Sequence, residues 1–255
     1  MRRLWRAGEC TTVMGDATVE HTAAHIHVCL PAARQVLSSA VLGGGLIWAD
    51  HLLNLKVPAT ASQDGYHQSP GVYLQHYADQ RGWRGASVGM MTAASMNSLR
   101  VVECREQGVD LAVLVTTGLD NARRAGDRAE HRLIGEATTK VGTINLIAMT
   151  SAQLSPAAMV EAQIVMTEAK AAVMQEFVVS SPVSGKIATG TGTDAIAVVN
   201  GGGPVRIDYC GKHVLFGELL ANCVIEAIAA SLEYYSRRIV DGGFSTPAGR
   251  EVVDA

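Results

Sequence analysis

Aromatic residues are scarce: Phe, Trp and Tyr make up 5% of the 255-residue chain. The interior must therefore be packed from Ala, Val, Leu, Ile and Met, which the 48% hydrophobic content allows. Proline is also scarce, with 7 residues beside 26 Gly. That balance excludes a collagen-like or disordered chain. Neither sign of charge dominates. The 24 acids and 21 Lys+Arg leave a net charge of −3, which excludes nucleic-acid recognition through a broad basic face. The five cysteines (Cys10, Cys29, Cys104, Cys210 and Cys223) are odd in number and widely spaced, with no C-x-x-C. This excludes a disulfide framework or a cysteine zinc site and fits a reducing compartment. The basic start, MRRLWRAGECTTVMGDATVE, lacks the apolar core of a signal peptide. No uninterrupted apolar run reaches the ~18 residues of a membrane span. A soluble cytoplasmic protein with no membrane partner is expected.

The length is near the upper limit for one hydrophobic core. The expected organisation is a flexible segment over 1–20, one catalytic domain over 21–240 and a tail over 241–255. HIHVCL (25–30) alternates as a half-buried strand does, and 36–48 reads as strand material broken by a Gly-Gly-Gly turn. Ser69 and Pro70 suit the start of a helix to about Gly82, after a loop over 56–70. Thr92 could cap a short helix over AASMNS. Two strands, LRVVECRE and VDLAVLVTTGL, follow, joined at Gln107 and Gly108, and GTINLIAMT is the next. Ser155 and Pro156 open a helix over 156–176. TDAIAVV (193–199) and VRIDYC (205–210) read as a hairpin. Leu219, Leu220, Cys223, Val224, Ala227, Ile228, Leu232 and Tyr235 recur at helical spacing within 215–238. Hairpins mixed with isolated helices predict an α+β fold, a layered αββα-type sandwich of two sheets covered by helices, with a single mixed-sheet α/β domain as the alternative.

The two Gly-Gly-Gly runs, 43–45 and 201–203, are not phosphate loops, because neither gives G-x-G-x-x-G between a strand and a helix. His21, His25 and His27 suggest a metal cluster, but no carboxylate or Cys follows at ligand spacing. They read instead as surface histidines, and no metal is expected. Two polar clusters stand out: VTTGLDNARRAGD (115–127) and ATGTGTDAIAVV (188–199). Each places hydroxyls, amides and backbone N–H groups at a strand end, where oxyanions bind and nucleophiles sit. GTIN opens a third strand in the same manner.

These segments resemble the adenosylcobinamide amidohydrolase family. The matching stretches are LSSAVLGGGL (37–46), the N-x-x-V-P of Asn54 to Pro58, VGMMTAASM (88–96), VTTGLDNARRAGD, GTINLIAMTSAQLS (142–155), TEAKAAVMQE (167–176), SGKIATGTGTDAIAVV (184–199) and HVLFGEL (213–219). The chain departs from the family pattern at Asp120, where Ser or Asn is expected, and at Ser151, where Asp is usual. The resemblance implies hydrolysis of the amide joining aminopropanol to a corrin propionate arm, giving adenosylcobyric acid and 1-amino-2-propanol. It implies no cofactor beyond the cobalt carried by the corrinoid substrate. Partners other than that substrate are not implied, though a homo-oligomer is compatible with it. A more distant resemblance, to the β-peptidyl aminopeptidase and ornithine acetyltransferase superfamily, rests on Gly142-Thr143-Ile144 and the downstream T-D-A. That superfamily has an αββα sandwich, and its nucleophile is the hydroxyl residue freed by self-cleavage.

Amide hydrolysis needs a nucleophile, a proton shuttle and a donor for the tetrahedral oxyanion. The resemblance assigns the nucleophile to Thr143 and the oxyanion donor to Asn121. If the chain is cut before Thr143, the new α-amine can serve as the base; in an uncut chain the base is His213 or Asp194, His213 being preferred because histidine is the side chain whose ordinary pKa lies nearest neutral pH. Asn54, Trp48, Met91, Thr92, Thr191, Thr193 and Glu218 are the candidate substrate contacts. Two rival readings are a corrinoid-binding paralogue without hydrolysis and a self-processing peptidase cut before Thr143.

Overall fold

A computed structural model describes residues 2–4, 9–57, 69–130 and 143–241. The strands in chain order are β1 (Arg2–Leu4), β2 (Glu9–Val13), β3 (Ala17–His21), β4 (His25–Ser38), β5 (Gly45–Lys56), β6 (Ser87–Thr92), β7 (Arg100–Glu106), β8 (Val109–Thr117), β9 (Ala122–Arg123), β10 (Ile144–Thr150), β11 (Gln153–Leu154), β12 (Gly190–Thr191), β13 (Ala195–Val199) and β14 (Arg206–Ile207). The helices are α1 (Pro70–Gln80), α2 (Pro156–Glu176) and α3 (Leu215–Asp241).

Ten strands form one mixed sheet, and β4 explains how one sheet serves as two layers. Along one edge β4 carries β5; along the other it carries β3 with its first half and β13 with its last three residues. The register between β4 and β5 shifts between Cys29 and Arg34, an irregularity that bends both strands. On one side of the bend lie β2, β3 and β6; on the other lie β13, β10, β8, β7 and β1. Inner-face residues from both sides share a single cluster: Val19, Val28, Leu52 and Met90 with Val101, Leu114, Ile147, Met149 and Ala197.

Residues of alternate parity on the second side face outward. Val113, Val115, Leu146 and Val198 pack under Met159, Met166, Val173, Leu220, Val224 and Ile228 of α2 and α3. Leu53 and Leu55 of β5 meet Leu74 of α1 on the opposite outer face. The layers are thus α2/α3, sheet, sheet, α1. Strands β8 and β10 are covered on both faces, which is why their sequences run apolar without alternation.

Local chemistry sets the element ends. Ser155 caps α2, its Oγ accepting from Ala158 N at 3.1 Å. Ser69 occupies the N-cap of α1, but its side chain makes no capping bond. The β7–β8 turn uses Gln107 (φ 48°) and Gly108 (φ 79°), the paired positive values of a tight hairpin.

Three expectations are corrected. Residues 9–20 are not a loose lead-in, because Val13, Ala17 and Val19 are buried in β2 and β3. The hairpin expected over 193–210 is absent: β13 lies between β10 and β4, while β14 pairs in parallel with β11. Residues Leu215–Tyr234 form an apolar helix, mean hydropathy 1.6, long enough by length and composition to cross a membrane. Glu218, Glu226 and Glu233 interrupt its apolar sequence, and one stripe of α3 packs on the sheet. Lastly, His21, His25 and His27 are buried, not on the surface. His27 stacks on Trp83 with ring centroids 3.6 Å apart, and its Nε2 lies 3.1 Å from His51 Nδ1. Burial, and then the neighbouring His51, lower the His27 pKa to about 3. Among the described residues no group of three His, Cys, Asp or Glu side chains could hold a metal ion.

Candidate active site

Strands β10 and β13 run in parallel, so both begin at the same end of the sandwich. β8, antiparallel to β10, ends there, with Thr117 opposite Ile144. The polar segments flanking these strands are therefore brought together by topology. Gly118 N donates to the Thr143 carbonyl at 3.0 Å, and Gly192 N donates to the Asn121 carbonyl at 3.0 Å. The short strands β9 and β12 pair antiparallel and hold 121–123 against 190–192.

Thr143 is 1% exposed. Its hydroxyl donates to the Thr193 carbonyl at 2.8 Å, with Asn145 Oδ1 a more distant acceptor at 3.2 Å. Asn145 in turn donates from Nδ2 to Asn54 Oδ1 (2.8 Å) and to the Met91 carbonyl (3.1 Å). Asn54 Nδ2 donates to Thr116 Oγ1 at 2.8 Å. This chain of amides crosses from β10 and β8 to β5 and β6, and so ties the two sheet layers together behind Thr143.

Asp194 is the second hub. Its Oδ1 accepts from Ile144 N at 3.0 Å and Thr191 Oγ1 at 2.5 Å. Its Oδ2 accepts from Thr191 N at 3.0 Å and pairs with Lys170 Nζ of α2. Four donors fill the roughly four lone-pair positions of a carboxylate. Asp194 is thus arranged to fix the residue that follows Thr143, not to accept a further proton. Two glycines make room for the assembly. A Cβ at Gly190 would lie 2.7 Å from Lys170 Nζ, and one at Gly192 would lie 2.5 Å from Asn121 Nδ2.

Of the residues singled out from sequence, the structure brings together Thr143, Asn121, Asp194, Thr191, Thr193, Asn54 and Met91. Thr92 is at the same end but fully buried, its Oγ1 accepting from Ala94 N at 2.9 Å. The helix cap expected of Thr92 is corrected: the short helix spans Met96–Ser98, with Ser95 at its N-cap position.

His213, Glu218 and Trp48 are elsewhere. Phe216 and Leu220, at the start of α3, pack beside Met149, Thr150, Val198 and Val199, at the far ends of β10 and β13. Ser231, fifteen residues after Phe216, bonds Thr117 Oγ1 at 2.6 Å. At about 1.5 Å per residue, roughly 22 Å of helix separates the two ends. His213 is exposed next to Gly211, so it cannot reach Thr143, and the preferred assignment of the base to it is corrected. Glu218 is exposed on the same far turn. Trp48, 62% exposed, lines a cavity of about 720 Å³ with Arg34, Ser151, Asn200 and Gly202. That cavity lies beyond the far ends of β10 and β13, remote from Thr143.

Three members of the network were not singled out: Lys170, Asn145 and Thr116. Lys170 carried a signal, because it shares the buried stripe of α2 with Met166 and Val173 at helical spacing. An apolar stripe holding one lysine implies a buried partner. Asn145 is the only amide in the strand INLIAMT, which is otherwise apolar up to its last residue, Thr150.

Comparison with known proteins gives a consistent result. The family model CbiZ, adenosylcobinamide amidohydrolase, matches residues 10–239. An adenosylcobinamide amidohydrolase of Methanosarcina mazei is 30% identical over 204 residues, 76% of this chain and 88% of that one. One of Halobacterium salinarum is 28% identical over 215 residues, 82% and 84% of the two chains. Among solved structures, the L-aminopeptidase D-Ala-esterase/amidase of Ochrobactrum anthropi aligns over 85% of this chain and 77% of its own at 10% identity. Its TM-score is 0.34, and overlap of that order does not establish a shared fold. The family match alone extends over nearly the whole described chain, and on it the chain belongs to the adenosylcobinamide amidohydrolase family.

Proposed function

We propose that this chain hydrolyses the amide that joins the aminopropanol arm of adenosylcobinamide to its corrin ring, releasing 1-amino-2-propanol and adenosylcobyric acid. The observation that carries the reading is the family match over residues 10–239. The gathering of Thr143, Asn121 and Asp194 at one end of the sandwich supports it. Thr143 supplies the attacking oxygen. Asn121, held on the neighbouring turn, donates to the oxyanion. Asp194, pinned by Lys170, sets the backbone at Ile144 and with it the direction of the Thr143 side chain. The cobalt arrives with the substrate, and the protein needs no cofactor of its own. The reaction belongs to a cytoplasmic corrinoid-salvage enzyme with no nucleic-acid or membrane partner.

The proton acceptor follows from the hydroxyl's neighbours. Among the described residues, Thr143 Oγ1 bonds to a carbonyl and to an amide oxygen, neither of which takes a proton at neutral pH. We infer that the base is the α-amine of Thr143 itself, freed by cleavage of the bond after Gly142. Such an amine titrates near pH 8, about right for the task.

Two measurements test this. Incubation of adenosylcobinamide with the protein, followed by mass spectrometry, should show loss of aminopropanol; an unchanged corrinoid mass rejects the hydrolase reading and leaves a corrinoid-binding protein. Intact-mass analysis should show fragments 1–142 and 143–255, and a chain that stays whole while turning over removes the α-amine. Thr143→Ala should abolish cleavage with corrinoid binding kept, because the lost oxygen acts in the transition state and little in the ground state.

A further inference from the structure

Cys104 and Cys223 are far apart in sequence, yet Cys223 Sγ lies 3.5 Å from Cys104 Sγ. The contact joins two rigid elements. Cys104 sits in β7, paired with Leu111 of β8, and Cys223 is on the buried face of α3. Cys104 is half-buried, whereas Cys223 is only 4% exposed. A disulfide requires the sulfurs to close to about 2.05 Å, roughly 1.5 Å less than they stand now.

We propose that Cys104 and Cys223 are a redox modification site, which a low-molecular-weight disulfide oxidises to a reversible disulfide between β7 and α3, one that joins fragments 1–142 and 143–255 once the chain is cut before Thr143. The Cys104 thiolate attacks one sulfur of the oxidant, forming a mixed disulfide and expelling one thiolate. Cys223 then gives up its proton and attacks the Cys104 sulfur, expelling the second. Two protein thiols become one disulfide, and one oxidant molecule becomes two thiols. The order of attack follows from the local chemistry. The hydrogen bond donated by Cys223 stabilises the Cys104 thiolate and lowers its pKa. The same bond, with burial, raises that of Cys223. The remaining cysteines lack a partner for this chemistry. Burial, and then Glu161, push the Cys210 thiol up to about 12, and Cys10 and Cys29 are on β2 and β4, away from β7 and α3. Such a transient bond is the form disulfides take in reducing compartments, and it sits apart from the Thr143 network.

The test uses the full native chain and oxidised glutathione. Thiol titration should fall from five to three. A tryptic digest should show peptide 101–105 (VVECR) linked to peptide 213–237, separable by dithiothreitol. A Cys223→Ala protein should instead hold one glutathione on Cys104. Five free thiols after exposure, a stable glutathione adduct on wild-type Cys104, or a crosslink between any other pair would each overturn the proposal.

Discussion

Lys170→Met removes one partner of a buried ion pair while leaving a side chain of similar length on α2. Lys170 and Asp194 have side chains only 8% and 10% exposed, so neither is rescued by water. Stranding one charge of such a pair costs about 3–5 kcal/mol. Asp194 keeps three other donors, from Ile144 N, Thr191 N and Thr191 Oγ1, which places the expected loss near the lower end, about 3 kcal/mol. For a domain of this size that is a fall in Tm of roughly 6–12 °C. Asp194→Asn should relieve it. In the double variant no charge remains buried at this point, so its destabilisation should be smaller than the sum of the two single changes. The assay is urea denaturation of the four proteins, with aminopropanol release measured beside it. Lys170→Met should also lower kcat more than it raises KM, because Asp194 acts by placing Thr143 and not by holding substrate. A Lys170→Met protein within 0.5 kcal/mol of wild type, or additive single and double changes, would refute the argument that this pair braces the site.

Gly192→Ala puts a methyl group 2.5 Å from Asn121 Nδ2, so the amide must move; turnover should drop by about a hundredfold if Asn121 is the oxyanion donor, with circular dichroism unchanged. His213→Ala should leave kcat and its pH dependence as in wild type, and a flattened neutral-pH limb in a steady-state profile would restore the histidine to the mechanism. Stability should fall on acidification. His27 has a folded pKa of about 3, below its unfolded value of 6.5, so the unfolded chain binds the extra proton as pH drops below about 6.5 and the loss grows until about pH 3. Burial lowers the His25 pKa too, in the same direction. Between pH 7.5 and 5 the His27 share should be roughly 1–2 kcal/mol after solvent screening, and His27→Gln should remove it in matched urea melts.

The helices were readable because each carries its own punctuation. Ser155-Pro156 opens α2 where expected, Pro70 opens α1, and the 3.6-residue stripe of α3 declares the face that packs on β7 and β8. The strand pairings were less so. Pairing is a long-range property, and the apolar runs of β8, β10 and β13 offer no face from which to deduce neighbours. VRIDYC looked like the return strand of a hairpin because it follows a glycine run. Gly201 N bonds instead to the Ala152 carbonyl and Gly203 N to that of Ser151, which steers the chain toward β11. The N-terminal strands were missed for a local reason: their turn is Met14-Gly15, with φ of 56° and 80°, and Met is an unusual residue for such a conformation.

The site divides along the same line. Thr143, Asn121 and Asp194 were legible because each sits where an apolar strand begins or ends, and strand polarity alone sends such ends to one side of a sheet. His213 failed because the same logic was applied to a helix. A strand of five to nine residues has both ends within about 30 Å and is anchored by its neighbours at each step. α3, with 27 residues, extends about 40 Å, so its first turn and its Ser231 turn serve opposite ends of the molecule. Being near a motif in sequence told nothing about which end His213 would occupy. Lys170 shows the converse. It lies in the C-terminal half of α2, 24 residues before Asp194 and outside both polar clusters, yet α2 crosses the sheet at the start of β13 and delivers the ammonium to the carboxylate. A lone charge in an apolar helical stripe has to be answered by an opposite charge in the layer it covers. In this chain, the acid just before β13 is the one that answers it.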